Sequence, residues 1–200
     1  MSSLQWLVND GGPLLVLPRE VLPFWEGSEP PSGNRAVEVR SRWGYKIATD
    51  YDRACDVQEW IAAIDVGPGR GIVLGGDQTN AAWLRPPQSD AFLIVRLIYA
   101  NDTSEAKILG LYEGRRDEDW VRLGSTLDAE HGELLLFHAA SVGLEVEEKL
   151  GSSGEVIVIG DAIPYHAGSG SYTVDTCEVV LPEEGHYIFH RFVRGAATAT

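Results

Sequence analysis

Two histidines, His186 and His190, stand four residues apart, the spacing that puts two metal ligands on one face of a helix. Their context, Tyr187-Ile188-Phe189, reads as a strand. At roughly 3.3 Å per residue the two would lie about 13 Å apart, too far to share one zinc ion unless a third element folds over one of them. Asp50, Asp52 and Asp56 open like a calcium loop, but such a loop needs an oxygen ligand, a glycine and a glutamate where Ala54, Cys55 and Ile61 stand. Gly67-Pro68-Gly69-Arg70-Gly71 has the composition of a phosphate loop. A strand-like run, Ile72-Val73-Leu74, follows it where a helix would be required, and Pro68 removes a donor, so a hairpin turn is the better reading. Gly151-Ser152-Ser153-Gly154 and Gly168-Ser169-Gly170-Ser171 are loops that lack the spacing of a nucleophile elbow. His131, His138 and His166 are scattered, and neither Cys55 nor Cys177 has a histidine nearby. No catalytic residue, metal or cofactor is expected; a catalytic set assembled from distant residues is left open.

The elements that would position any site are mostly strands. Trp6 reads as a buried anchor, followed by a turn through Gly11-Gly12-Pro13 and an apolar run, Leu14 to Leu17, stopped by Pro18. A helix is expected over residues 51–58, with Asp50 or Asp52 at its N-terminus and Ala54, Cys55 and Val57 as its packing face. Glu26 to Arg35 reads as a Pro- and Gly-containing loop. Trp60 to Val66 and Ile72 to Leu74 form a hairpin around Gly67, and Phe92 to Tyr99 is the strongest single strand. Further strands are expected at Trp120 to Leu123, Glu133 to His138, Val156 to Ile159, Ser171 to Val180 and His186 to Val193, the last two joined by Pro182-Glu183-Glu184-Gly185. Other helical candidates are a short turn at Asn80 to Leu84 and Ser104 to Leu111. The expected fold is α+β with β dominant: antiparallel sheets and a few short helices. A break at Asn101-Asp102-Thr103-Ser104 places a boundary between an N-terminal region, 1–103, and a C-terminal region, 104–200, whether or not the two share a core.

Charge narrows the partners. With 200 residues and 44% hydrophobic content the chain can bury a substantial core, and 30 acidic against 16 basic residues give a net charge of −14. Nucleic acid binding needs Lys and Arg to displace counterions, whereas Arg115-Arg116 is the one basic run and sits beside Asp117-Glu118-Asp119. A basic protein is the better electrostatic match, although acidity also serves solubility alone. The N-terminus lacks a basic segment before its apolar part, and Ala91 to Ala100 is broken by Arg96 and half the length of a membrane span. A cytoplasmic protein with Cys55 and Cys177 as buried thiols is the expectation.

Six tryptophans are present; Trp6, Trp43, Trp60 and Trp83 lie in apolar surroundings and are expected in the core. Trp25 and Trp120 adjoin polar loops. An aromatic beside exposed carboxylates suits a hot spot for an Arg- or Lys-rich partner, but it also suits a strand entering the core, which is the favoured reading for both. Candidate partner contacts are therefore Asp117, Glu118, Asp119, Trp120, Glu183, Glu184 and Trp25.

The order Trp6, Gly11-Gly12-Pro13, Pro18 to Trp25, Asp50-Tyr51-Asp52-Arg53-Ala54-Cys55, Val73-Leu74-Gly75 and Trp83-Leu84 resembles the Immunity protein 21 family of bacterial polymorphic-toxin systems. The resemblance covers about the first hundred residues well and the rest loosely. One departure is Gly75-Gly76-Asp77-Gln78, where the family pattern has a single Gly followed by Asp and Glu. The resemblance implies a non-enzymatic protein that neutralises a toxin made by the same cell, with neither the toxin nor the contact surface specified. The alternatives are a small-molecule or carbohydrate-binding β domain with aromatics around a pocket and, behind it, an uncharacterised enzyme.

Overall fold

The computed structural model describes residues 4–9, 11–30, 39–40, 46–47, 49–57, 59–76, 79–87, 89–151 and 162–195. In chain order the strands are β1 (Leu14–Pro18), β2 (Val39–Arg40), β3 (Lys46–Ile47), β4 (Ala62–Val66), β5 (Gly69–Leu74), β6 (Asn80–Leu84), β7 (Phe92–Ala100), β8 (Val121–Ala129), β9 (Glu133–His138), β10 (Ala162–His166), β11 (Gly170–Leu181) and β12 (Gly185–Arg194). The helices are α1 (Asp50–Cys55), α2 (Glu105–Glu113) and α3 (Gly143–Gly151), with single 3-10 turns at Arg19–Phe24 and Asp117–Asp119. The fold is β-dominant and antiparallel, as its composition of short apolar runs and turns predicts.

Two five-stranded sheets face each other, one in the order β10-β9-β1-β5-β4 and the other β6-β7-β12-β11-β8. Each combines strands from before and after residue 103. Between them lie Val16, Ile72, Leu134 and Leu136 from the first sheet and Ile94, Val174 and Phe192 from the second. Phe92 stacks on Phe192 with centroids 4.9 Å apart, and Trp83 on Tyr165 at 4.8 Å. The outer face of the first sheet is closed by Leu22, Trp25, Ala54 of α1 and Val146 of α3; that of the second is closed by Ile108 of α2 with Trp6 and Trp120 against it. This layering explains why β1 is apolar without alternation: Leu14 and Val16 face one core cluster, Leu15 and Leu17 another. The β4–β5 hairpin turns at Gly67, whose φ of +53° only glycine adopts without strain.

Several elements differ from the sequence reading. Asn80–Leu84 is strand β6, not a helical turn, because it pairs antiparallel with β7 from Asn80↔Leu97 to Leu84↔Leu93. α1 is capped by Thr49, whose Oγ1 accepts from Asp52 N–H while Asp52 Oδ2 accepts from Thr49 N–H, each at 3.0 Å. Cys55 is exposed, only Cys177 is a buried thiol, and the two form no disulfide with each other. Leu7, rather than Trp6, is the buried N-terminal anchor, since Trp6 and Trp60 are only half-buried. The expected strand Val156 to Ile159, the loop residues 31–35, Trp43, Gly151-Ser152-Ser153-Gly154 beyond its first residue, and Asp77-Gln78 lie outside the described residues.

Candidate functional site

The acidic residues singled out above fall into two groups at opposite ends of α2, whose nine residues span about 12 Å. Ser104 caps that helix through Lys107 N–H, and Ile108 seats it on the second sheet. At its N-terminal end, Lys107 Nζ lies 3.1 Å from Glu184 Oε2, and Asn101 donates to the carbonyls of Glu183 and Glu184, at 2.7 and 2.9 Å. The β11–β12 turn is thereby tied to the start of α2, with Glu183 held at φ +63°. Past the other end, Asp117–Asp119 forms its 3-10 turn: Arg116 N–H donates to Asp119 Oδ2 at 2.8 Å, and the Arg116 guanidinium is 2.6 Å from Glu118 Oε1. The Asp117 side chain is 98% exposed.

Trp120 anchors this second group. Its ring meets Tyr112 edge-on at 5.9 Å and lies beneath the Arg191 guanidinium, 4.3 Å from the ring centroid. Arg191 also holds Asp175 Oδ2 at 3.0 Å, Arg122 holds Asp175 Oδ1 at 2.8 Å, and Asp117 lies 3.6 Å from Arg191. Burial pushes the Asp175 carboxyl up, but the hydrogen bonds and charges of Arg122 and Arg191 outweigh it and hold the group below the usual carboxylate range. Asp175, Arg122 and Arg191 were not singled out from sequence. The available signal was Asp175, a carboxylate next to Val174 in the run Tyr172 to Val179, which also carries Glu178.

Trp25 is not brought to this surface. It is 1% exposed, its indole N–H donates to the Ala139 carbonyl at 2.9 Å, and it packs on the outer face of the other sheet, which bears out the preference for a core role and leaves no ring surface for a partner in this conformation. Trp120 is half-buried against the sheet and stacked under Arg191 of its own chain.

The histidine pair is also split. His186 Nε2 lies 2.6 Å from Glu178 Oε1, whereas His190 is fully buried with Nδ1 2.9 Å from Thr176 Oγ1 and no partner for Nε2 among the described residues. Burial, with a smaller contribution from the Arg96 charge, holds His190 well below the ordinary imidazole range. Arg96 is itself buried, and desolvation pulls its guanidinium down to about 10. Among the described residues no group of three His, Cys, Asp or Glu could hold a metal ion, and no helix is long and apolar enough to cross a membrane.

A groove of about 990 Å³ opens elsewhere, where the β4–β5 turn approaches the end of β8, lined by Glu20, Asp65, Arg70, Asp128 and Glu130 among others. Among the described residues no aromatic lines it.

No curated protein and no solved structure matches this chain. The match that exists is to a family, it extends from residue 5 to residue 184 and so runs through both halves, and by it the chain belongs to the Immunity protein 21 family.

Proposed function

We infer that this is an immunity protein of a polymorphic-toxin system: in the cytoplasm it binds the cognate toxin and covers the toxin's active site or substrate path, without catalysis of its own. Family membership carries this reading. The charge balance supports it, because a protein of net charge −14 approaches a basic toxin with a steered, salt-sensitive on-rate. The contact surface we assign to it includes Asp117, Glu118, Asp119, Glu183 and Glu184, held at the two ends of α2, with Trp120 as the aromatic beside them. The carbohydrate-binding alternative gains no support from the groove between the β4–β5 turn and the end of β8, which has no aromatic wall among the described residues on which a sugar ring would stack.

Co-expression with the product of the adjacent upstream reading frame tests the reading. Growth inhibition by that product, relieved when this protein is supplied, is the expected result. A toxic neighbour against which this protein gives no relief would overturn the pairing.

A further inference from the structure

The two sheets have four edges, and three of them are managed. β6 is bridged by Leu7, whose N–H and carbonyl exchange bonds with Ala81 at 2.7 and 3.0 Å. On β4, Arg53 occupies the Asp65 carbonyl at 2.7 Å. β10 carries Pro164, which has no N–H to offer. The fourth edge, β8, is bonded to β11 on one side, and the backbone of residues 121–126 makes no hydrogen bond on its other side among the described residues. Val121 at its start is 73% exposed.

An open edge of this length is normally guarded by lysines, prolines or a covering element. β8 carries none of these; Arg122, its one cation, is turned to Asp175. It does carry an irregularity, for three residues, Leu123 to Ser125, stand opposite Val174 alone. Such a bulge spaces the free donors and acceptors unevenly, which disfavours generic strand pairing and selects a partner of matching shape.

Charge identifies that partner. Asp117 and Glu118 flank the start of β8, while Asp128, Glu130, Glu20 and Asp65 surround the groove at its end. Arg70, the cation in the groove, is already beside Asp65 at 3.2 Å. Glu20 Oε1 accepts the Glu130 N–H, and Glu20 Oε2 is buried without a partner among the described residues.

We propose that an extended, Lys- or Arg-bearing segment of the toxin adds as a sixth strand to the free edge of β8 and sets a basic side chain into the groove beyond Ala129. The six residues 121–126 give such a strand a track of about 17 Å. Backbone pairing supplies affinity, and the carboxylates at both ends fix direction and select for cations. The proposal rests on the immunity reading above.

Hydrogen–deuterium exchange tests it, using the full chain and the purified product of the adjacent upstream reading frame. Amides in 121–126 should exchange readily in the free protein and slow by about tenfold or more in the complex. The exposed pair Asp128→Lys and Glu130→Lys should slow association by about tenfold and reduce its salt dependence. A complex that protects other segments while leaving 121–126 unchanged overturns the edge proposal and leaves the immunity reading standing. Protection of the free protein that rises with its own concentration assigns the edge to a second copy and overturns it too. Absence of both complex and rescue overturns the immunity reading, and the edge proposal falls with it.

Discussion

Nη2 of Arg96 lies 2.5 Å from the carbonyl oxygen of Gly75, and the bond crosses from one sheet to the other. The same guanidinium donates to Trp60 O at 3.2 Å and to Thr79 Oγ1 at 2.8 and 3.0 Å, with the Trp60 ring 5.8 Å away. Arg96 comes from β7, whereas Gly75 closes β5 and Trp60 leads into β4. One fork of donors thus gathers the loops where the sheets converge, and carbonyl dipoles offset its charge.

Replacing Arg96 by Met should strand these acceptors in the core and lower stability by about 3 kcal/mol, read from urea unfolding midpoints. Arg96→Lys should recover little, because a single ammonium cannot reach three separate acceptors in a plane. Full stability in the Lys variant would show that charge alone matters at this position.

Asp175 makes stability depend on strong acid. Its folded-state pKa is depressed below the ordinary 3.8, so its contribution is present above that value and disappears as pH falls through the folded one. Asp175→Asn should cost about 1–3 kcal/mol at neutral pH, by leaving Arg191 without its buried partner. It should also flatten the loss of stability below about pH 4. Urea midpoints for both proteins between pH 2.5 and 7, values chosen at roughly half-unit steps, check the two effects together.

His190 acts in a separate window. The folded state keeps it neutral, while the unfolded chain takes up a proton near 6.5. Below that pH the unfolded chain binds the extra proton, so stability falls as pH drops, by up to about 1.4 kcal/mol per unit for one group, until the depressed folded value is reached. Above 6.5 this group contributes no slope. His190→Leu should remove that slope; an unchanged pH profile in the variant would assign it to other groups.

Reversing Asp117, Glu118 and Asp119 to Lys should leave the fold intact by circular dichroism, because their charges lie on a 3-10 turn with no buried residue. Association with the toxin should slow and its salt dependence flatten. Unchanged kinetics would remove this turn from the interface.

Legibility in the sequence followed how local each determinant is. The β4–β5 and β11–β12 hairpins announce themselves through turn residues between apolar runs, and both form as read. α2 was legible from its Ser104 start. Asn80–Leu84 was not, since Ala-Ala-Trp-Leu suits a helix locally and becomes a strand only through pairing with β7. β10 was hidden by Pro164, which an edge position tolerates. α3 was missed because its apolar face reduces mainly to Val146 and Leu150. At the site, the acidic runs were visible as runs, and Asp175 faces Arg191 across the β11–β12 hairpin, but Arg122 reaches Asp175 from 53 residues away.

β12 lies in the middle of its sheet, between β7 and β11, although it follows every other described strand in the chain. A chain without residues 185–194 holds β7 and β11 with no strand to join them, so this sheet closes only once β12 is in place. A break within β12 would therefore open the sheet at its centre, where an equal break in β6 or β8 would only fray an edge.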